Sequence, residues 1–224
     1  GDSYSAKVIV DAGGHNGPLR REYWNEKSVK IPVKFVLMDG DFGEAVELHF
    51  GSMAPGGYAW MFPKSKGANI GLGIQRSFAK GRNLNQYTDD FVSKYDGEIS
   101  FTGAGSLPMS GTLKKFVKGN YMLVGDSAGM VLPSNGAGIT IAMIGGRIAG
   151  QVISEHLSSG IPLEEYEKRW KKQMGKVMRN SKRSFKMGSM LFRLPDWILN
   201  LLFNRLTKNI IWRAVTCRRM LWVL

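Results

Sequence analysis

The sequence predicts a mixed α+β and α/β fold: an antiparallel-sheet domain set inside a strand–loop–helix domain and followed by C-terminal helices. Three observations carry this. Residues 32–38 and 45–50 alternate apolar and polar side chains around an Asp39-Gly40-Asp41 turn signal, and residues 58–63 and 68–74 do so around Lys64-Ser65-Lys66-Gly67, the pattern of antiparallel strands. Two short β-type runs, residues 6–10 and 121–124, each enter a Gly-rich turn, and the second leads into a long apolar helix over 139–157. From Leu163 onward the periodicity is helical.

Taken in order, the first run feeds Asp11-Ala12-Gly13-Gly14-His15-Asn16-Gly17-Pro18, a loop able to approach a ligand closely. The four alternating segments predict a four-stranded meander. Leu84, Tyr87, Phe91 and Tyr95 recur at helical spacing, so residues 83–95 form one amphipathic helix on that sheet. In the helix over 139–157, Gly145, Gly146, Ala149 and Gly150 are small residues; each Gly costs about 1 kcal/mol relative to Ala, which close packing against a sheet or cofactor would offset. The last 60 residues read as a strongly basic helix over 168–186 and then an amphipathic stretch over 197–224. There Trp197, Ile198, Leu202, Phe203, Leu206 and Ile210 oppose Asn200, Asn204 and Lys208, a composition shared by interfacial helices and by helices that cap a domain.

With 224 residues and 43% hydrophobic content, the chain buries a sizeable core, which excludes a disordered protein. Its 28 glycines fall in clusters rather than in a linker. A single Cys217 permits no internal disulfide, and His15, His49 and His156 are too scattered for a metal site; no metal is expected, and a reducing, cytoplasmic compartment is. The net charge of +13 belongs to the tail: residues 1–160 hold 16 Lys/Arg against 14 Asp/Glu, and residues 161–224 hold 15 against 4. No nucleic-acid module accompanies this charge, so nucleic acid is not expected as a partner, whereas a membrane surface suits it. Neither a signal-peptide pattern nor a spanning-length apolar stretch is present.

The strongest chemical motif is Tyr121-Met-Leu-Val-Gly125-Asp126-Ser-Ala-Gly129-Met-Val-Leu-Pro133-Ser-Asn-Gly136-Ala137-Gly138. A strand end places the Asp126 carboxylate where it can accept hydrogen bonds from sugar-like hydroxyls, and the Gly-rich start of the next helix presents free N–H groups to an anionic ring edge. On spacing alone an ordinary turn and cap fits equally well. In Pro55-Gly-Gly-Tyr58-Ala-Trp60-Met-Phe62-Pro63-Lys64, the three aromatics share one strand face, which on spacing alone reads as core filling, with Lys64 a solvated turn residue. No constellation identifies a catalytic acid or base.

These two motifs carry a resemblance. The Gly-Asp-Ser-Ala-Gly run with its Pro and Gly-x-Gly continuation is similar to the Gly-Asp-Ala-Ala motif of the p-hydroxybenzoate hydroxylase superfamily of FAD enzymes. The Tyr58-x-Trp60-x-Phe62-Pro63-Lys64 segment resembles the signature of the geranylgeranyl reductase family within it. The resemblance covers roughly residues 6–160. It implies a partial Rossmann-type FAD-binding domain from residues 1–18 and 113–158, an antiparallel-sheet substrate domain over 19–112, and basic C-terminal helices over 159–224. Asp126 would bind the ribityl or pyrophosphate side of FAD, and Pro133, Gly136, Ala137 and Gly138 would face the pyrimidine edge of the flavin. Tyr58, Trp60 and Phe62 would line a prenyl-chain tunnel near the flavin.

The activity implied is FAD-dependent reduction of isoprenoid (geranylgeranyl) double bonds in a lipid or lipid precursor, a CH–CH oxidoreductase of lipid biosynthesis. NAD(P)H or ferredoxin would be the electron donor, and the basic helices would give peripheral membrane contact. The alternatives are a flavin monooxygenase or halogenase of the same superfamily, told apart by oxygenation rather than reduction of substrate, and a non-catalytic membrane-surface protein with a vestigial flavin fold, told apart by the lack of a flavin spectrum. This sequence departs from the family in having Gly13-Gly14, with Asp11 two residues earlier, where an Asp-Gly pair is usual, and Ser65 after Lys64. No Gly-x-Gly-x-x-Gly follows a strand, so the dinucleotide-binding unit is expected upstream of Gly1. The 224-residue piece by itself should therefore lose FAD on gel filtration; stoichiometric retention would refute this expectation.

Overall fold

The computed structural model describes residues 2–24, 26 and 28–205. The chain divides into two compact units: the residues up to Val29 with Pro108–Phe185, and Lys30–Leu107 with the described residues from Lys186. It opens with β1 (Ile9–Asp11) and α1 (Pro18–Tyr23). It passes into the second unit through β2 (Lys30–Asp39), β3 (Glu47–His49), β4 (Tyr58–Lys64), β5 (Gly67–Gly73), α2 (Leu84–Val92) and β6 (Glu98–Pro108). It continues with β7 (Val117–Lys118), β8 (Tyr121–Leu123), α3 (Ile139–Ser159), α4 (Glu165–Leu191) and α5 (Asp196–Arg205).

In the second unit the sheet order is β3-β4-β5-β2-β6, which corrects the meander. β2 passes over β3 and pairs antiparallel with β5, from Val33 opposite Gly73 to Asp39 opposite Gly67. β3 pairs with β4 over only three residues. The fifth strand, β6, has mostly exposed side chains and carries Gly103 and Gly105, so it lacks the apolar alternation by which a half-buried strand is recognised. The strand period sends Val36, Met38, Ala59, Met61, Ala68, Ile70 and Leu72 to one face, where they pack with Tyr87, Phe91 and Val92 of α2. The other face carries Phe35, Tyr58, Trp60 and Phe62.

α2 starts where its sequence says it should. The Asn83 side chain accepts the Gln86 N–H at 3.0 Å, and the Gln86 side chain accepts the Asn83 N–H at 2.9 Å, a reciprocal capping box. Asn83→Ala is expected to cost about 1 kcal/mol, read as a lower urea midpoint at unchanged m-value.

The first unit holds a three-stranded sheet of order β1-β8-β7. β1 and β8 run parallel, with Ile9 opposite Tyr121 and Asp11 opposite Leu123, so both strands deliver their following loops to the same end. β1 begins at Ile9, three residues later than the apolar run suggests. Met122, Leu123 and Met130 pack with Ile148 and Val152 of α3 and with Tyr166 and Trp170 of α4. Gly145 explains one of the small residues of α3: a Cβ there would meet Met130 Sδ at 2.6 Å and Tyr166 Oη at 3.4 Å. The close partner is thus a loop and a helix rather than a sheet or cofactor. Gly150 has nothing within 4 Å, and nothing among the described residues explains it. The basic stretch over 168–186 lies inside the longer α4. The side chains of Leu202, Phe203 and Asn204, and all of residues 206–224 with Leu206, Lys208, Ile210 and Cys217, lie outside the described residues.

Candidate functional site

The two loops that leave β1 and β8 are tied together by buried polar groups. Asp11, 4% exposed, accepts the Gly13 N–H at 2.8 Å and the Arg20 N–H at 3.0 Å, which folds the Gly-rich loop around its carboxylate. A Cβ at Gly17 would sit 2.2 Å from Asp11 Oδ1, so the loop closes only because residue 17 has no side chain. Arg20 is also buried, and its guanidinium donates to the Ser127 carbonyl at 2.6 Å. Ser127 Oγ lies 2.5 Å from the Asp11 carbonyl oxygen and accepts the Val124 N–H at 3.1 Å. Asp11, Arg20 and Ser127 thus fix the geometry of both loops from behind. The charge of Arg20 in a buried position works against its protonated form, and Glu26 and Asp11 favour it.

The Gly125-Asp126-Ser127-Ala128-Gly129 turn requires left-handed backbone at both ends, with φ of +67° at Gly125 and +70° at Gly129, conformations that glycine adopts without strain. Gly129 N–H closes onto the Asp126 carbonyl and Met130 N–H onto that of Gly125. Burial raises the Asp126 carboxyl above its ordinary value, while the nearby His15 ring opposes that rise. The carboxylate therefore sits in a partly desolvated position facing the loop after β1, and it accepts no hydrogen bond from the described residues.

The segment from Pro133 to Gly138 forms a tight loop into α3. Leu132 N–H donates to the Ala137 carbonyl at 2.9 Å, Gly136 N–H to the Leu132 carbonyl at 2.8 Å, and Ala137 N–H to the Asn135 side chain at 3.0 Å. Ser134 N–H is anchored on Ser181 Oγ of α4 at 3.0 Å. Gly138 precedes the first residue of α3, and a Cβ there would come 3.3 Å from Asp126 Oδ1. The structure thus brings Asp126 and Gly138 together at the start of α3, with Pro133, Gly136 and Ala137 in the loop that sets its angle. Arg20 carries no sequence signal, Ser127 only its place in the Gly125 to Gly129 run, and His15 only its place inside the Gly-rich loop.

Tyr58, Trp60 and Phe62 stand in the other unit, on the face of β4 turned away from α2. Their rings form a row, with centroids 5.7 Å apart for Tyr58 and Trp60 and 5.9 Å for Trp60 and Phe62. Trp60 Nε1–H donates to Asn69 Oδ1 at 2.7 Å, and Trp60 lies opposite Gly71 of β5, where a Cβ would meet Trp60 Cζ2 at 2.7 Å. The ring lies across the sheet because the neighbouring strand offers a glycine. On this face Tyr58 and Trp60 are half-buried and Phe62 is exposed. His49 belongs to the opposite side, where its ring and the Tyr95 hydroxyl both contact Glu47 Oε2, at 2.9 and 2.8 Å; these bonds hold the Glu47 carboxyl below its ordinary value. No cluster of metal-ligating side chains occurs among the described residues.

A parallel strand pair delivering two glycine loops and a helix start to one place, in a chain that also holds an antiparallel-sheet unit, is the fold shared with FAD-dependent oxidoreductases. A probable FAD-dependent monooxygenase from Pseudomonas aeruginosa shares the fold with a TM-score of 0.59 at 16% identity, over 82% of this chain and 56% of that one. A geranylgeranyl bacteriochlorophyll reductase-like protein from Thermoplasma acidophilum superposes with a TM-score of 0.76 at 25% identity, over 94% of this chain and 58% of that chain. Residues 29–104 match the geranylgeranyl reductase catalytic domain. Digeranylgeranylglycerophospholipid reductase 2 of Methanothermobacter thermautotrophicus is 38% identical over 169 residues, which are 73% of this chain and 43% of the relative. The chain is similar to the geranylgeranyl reductase family in this domain and in these relatives. It spans about half the length of the curated relatives it matches.

Proposed function

We propose that the protein containing this chain is an FAD-dependent reductase of geranylgeranyl double bonds in a membrane lipid or its precursor. The observation that carries the reading is the half-buried Asp126 carboxylate, which accepts no hydrogen bond from the described residues, beside the start of α3. A carboxylate there suits the hydroxyls of a ribityl chain or ribose, and the first turn of α3 ends in amides with no intrahelical acceptor, which suit the anionic edge of a reduced isoalloxazine ring. The residues therefore fit FAD, which when bound and reduced supplies the hydride for the alkene. Asp11, Arg20 and Ser127 keep the loops of this site in place, and Pro133, Gly136 and Ala137 aim the helix start.

The Tyr58, Trp60 and Phe62 row offers an apolar track for the prenyl chain, with rings held by the sheet rather than by the core. Reduction is favoured over oxygenation because the domain bearing this row is the one that matches the geranylgeranyl reductase catalytic domain. The coarser class of partner is a prenyl lipid; the finer reading includes peripheral contact with the bilayer through the C-terminal helices, and no helix among the described residues is long and apolar enough to cross it. The test is anaerobic incubation of the purified, dithionite-reduced protein with a geranylgeranyl glycerolipid. Products heavier by two hydrogens per reduced bond are expected; unchanged lipid, or a hydroxylated or halogenated product when the reduced protein meets O2 and halide in a parallel incubation, would overturn the reading.

A further inference from the structure

α4 is held by one seam: Tyr166, Trp170, Met174, Met178, Ser181 and Ser184 are all buried. Helical geometry at about 100° per residue puts Lys172, Lys176, Arg179 and Arg183 in a single row directly opposite that seam, at spacings of four, three and four residues. All four are exposed. The row differs from the start of the same helix, where cations are matched with acids: Lys168 bonds Glu165 at 2.8 Å and Arg169 bonds Glu155 through both carboxylate oxygens at 2.7 Å. After Glu167 the sequence has no acidic residue before Asp196. A helix face that serves only solubility interleaves signs, because like charges three or four apart repel and weaken the helix. A single-sign row is a cost in isolation and a gain against an anionic surface.

The same helix goes on into exposed apolar side chains, Met187 at 52% and Met190 at 71% exposure. A nucleic acid or an acidic protein segment gives unpaired methionines no apolar medium, whereas the headgroup and acyl boundary of a bilayer takes both charge and thioether. We infer that α4 docks on an anionic lipid surface, with Lys172, Lys176, Arg179 and Arg183 facing phosphate headgroups and Met187 and Met190 entering the interface. The inference rests on the prenyl-lipid reading for its purpose but has its own readout.

The experiment is flotation of the full-length protein with vesicles of phosphatidylcholine alone or with 30% (about one lipid in three) phosphatidylglycerol. Flotation with the anionic vesicles only, weakening on a step from about 0.1 M to about 0.5 M salt, is expected. The Lys172→Glu, Lys176→Glu, Arg179→Glu, Arg183→Glu variant should bind at least about 100-fold more weakly. Met187→Ser with Met190→Ser should also weaken binding while keeping its salt dependence. Exposed positions leave folding intact, which an unchanged melting curve verifies, and reduction of a detergent-dispersed prenyl substrate is measured in parallel. Lost flotation with normal turnover supports the inference. Flotation of the charge-reversal variant equal to the parent overturns it, as does a parent that ignores vesicles and is retained by RNA or heparin instead. Failure of turnover with intact, row-dependent flotation overturns the reductase reading and leaves the docking surface standing.

Discussion

Asp126→Ala is expected to release FAD from the full-length protein. A charged hydrogen bond from a hydroxyl to this carboxylate contributes about 1.5 to 3 kcal/mol, so the loss of one weakens FAD by roughly 10- to 150-fold. The substitution leaves the turn itself alone, because Gly125, Gly129 and the backbone bonds of Asp126 hold it. Asp126→Asn keeps the acceptor without the charge and should fall between the two. The check is equilibrium titration of apoprotein with FAD, followed by flavin fluorescence. Unchanged affinity of the alanine variant would remove Asp126 from the site.

The parts of this chain that were legible in its sequence are those in which local chemistry and tertiary packing agree. The box formed by Asn83 and Gln86 and the apolar spacing of Leu84, Tyr87 and Phe91 fix α2 within a few residues, since cap and core face are both short-range signals. The Gly125 to Gly129 turn was legible because two left-handed positions restrict the residue types. The pairing of β2 with β5 was not, because β3 and β4 intervene and no local rule says that a strand skips its nearest neighbour. β6 was illegible for a different reason: with one side open and glycines in its middle, it has no period to read.

At the candidate site the same distinction holds. Asp126 and the Pro133, Gly136, Ala137 and Gly138 loop lie within one continuous segment, so a local motif can join them once its resemblance is seen. Arg20 and Ser127 lie 107 residues apart, and only the parallel alignment of β1 and β8 puts a buried guanidinium under the carbonyl of the turn. A buried arginine on a six-residue helix has no signature in sequence, since Arg20 and Arg21 are adjacent and alike and the fold alone decides which is enclosed.

Trp60→Ala separates the two meanings that its strand allowed. If the row of Tyr58, Trp60 and Phe62 were core, removal of the central ring would cost several kcal/mol, as Trp→Ala substitutions in packed interiors do. The ring is half-buried, stacked on Phe62, tilted against Tyr58 and bonded to Asn69, so the expected loss is the two aromatic pairs at about 0.5 to 1.5 kcal/mol each, a fall of several degrees in melting temperature at most. The catalytic consequence is larger. A prenyl chain on an aromatic track is positioned by ring faces, and a displacement of about 1 Å at the reacting carbon costs on the order of 100-fold in rate. Trp60→Ala should therefore lower kcat by about that factor while the flavin affinity, set in the other unit, stays the same. Trp60→Phe, which keeps an aromatic face but gives up the bond to Asn69, should recover most of the rate and shift the positions of reduction along the chain. Normal turnover of the alanine variant combined with a collapse in melting temperature would assign the row to the core and take the prenyl chain off this face of the sheet.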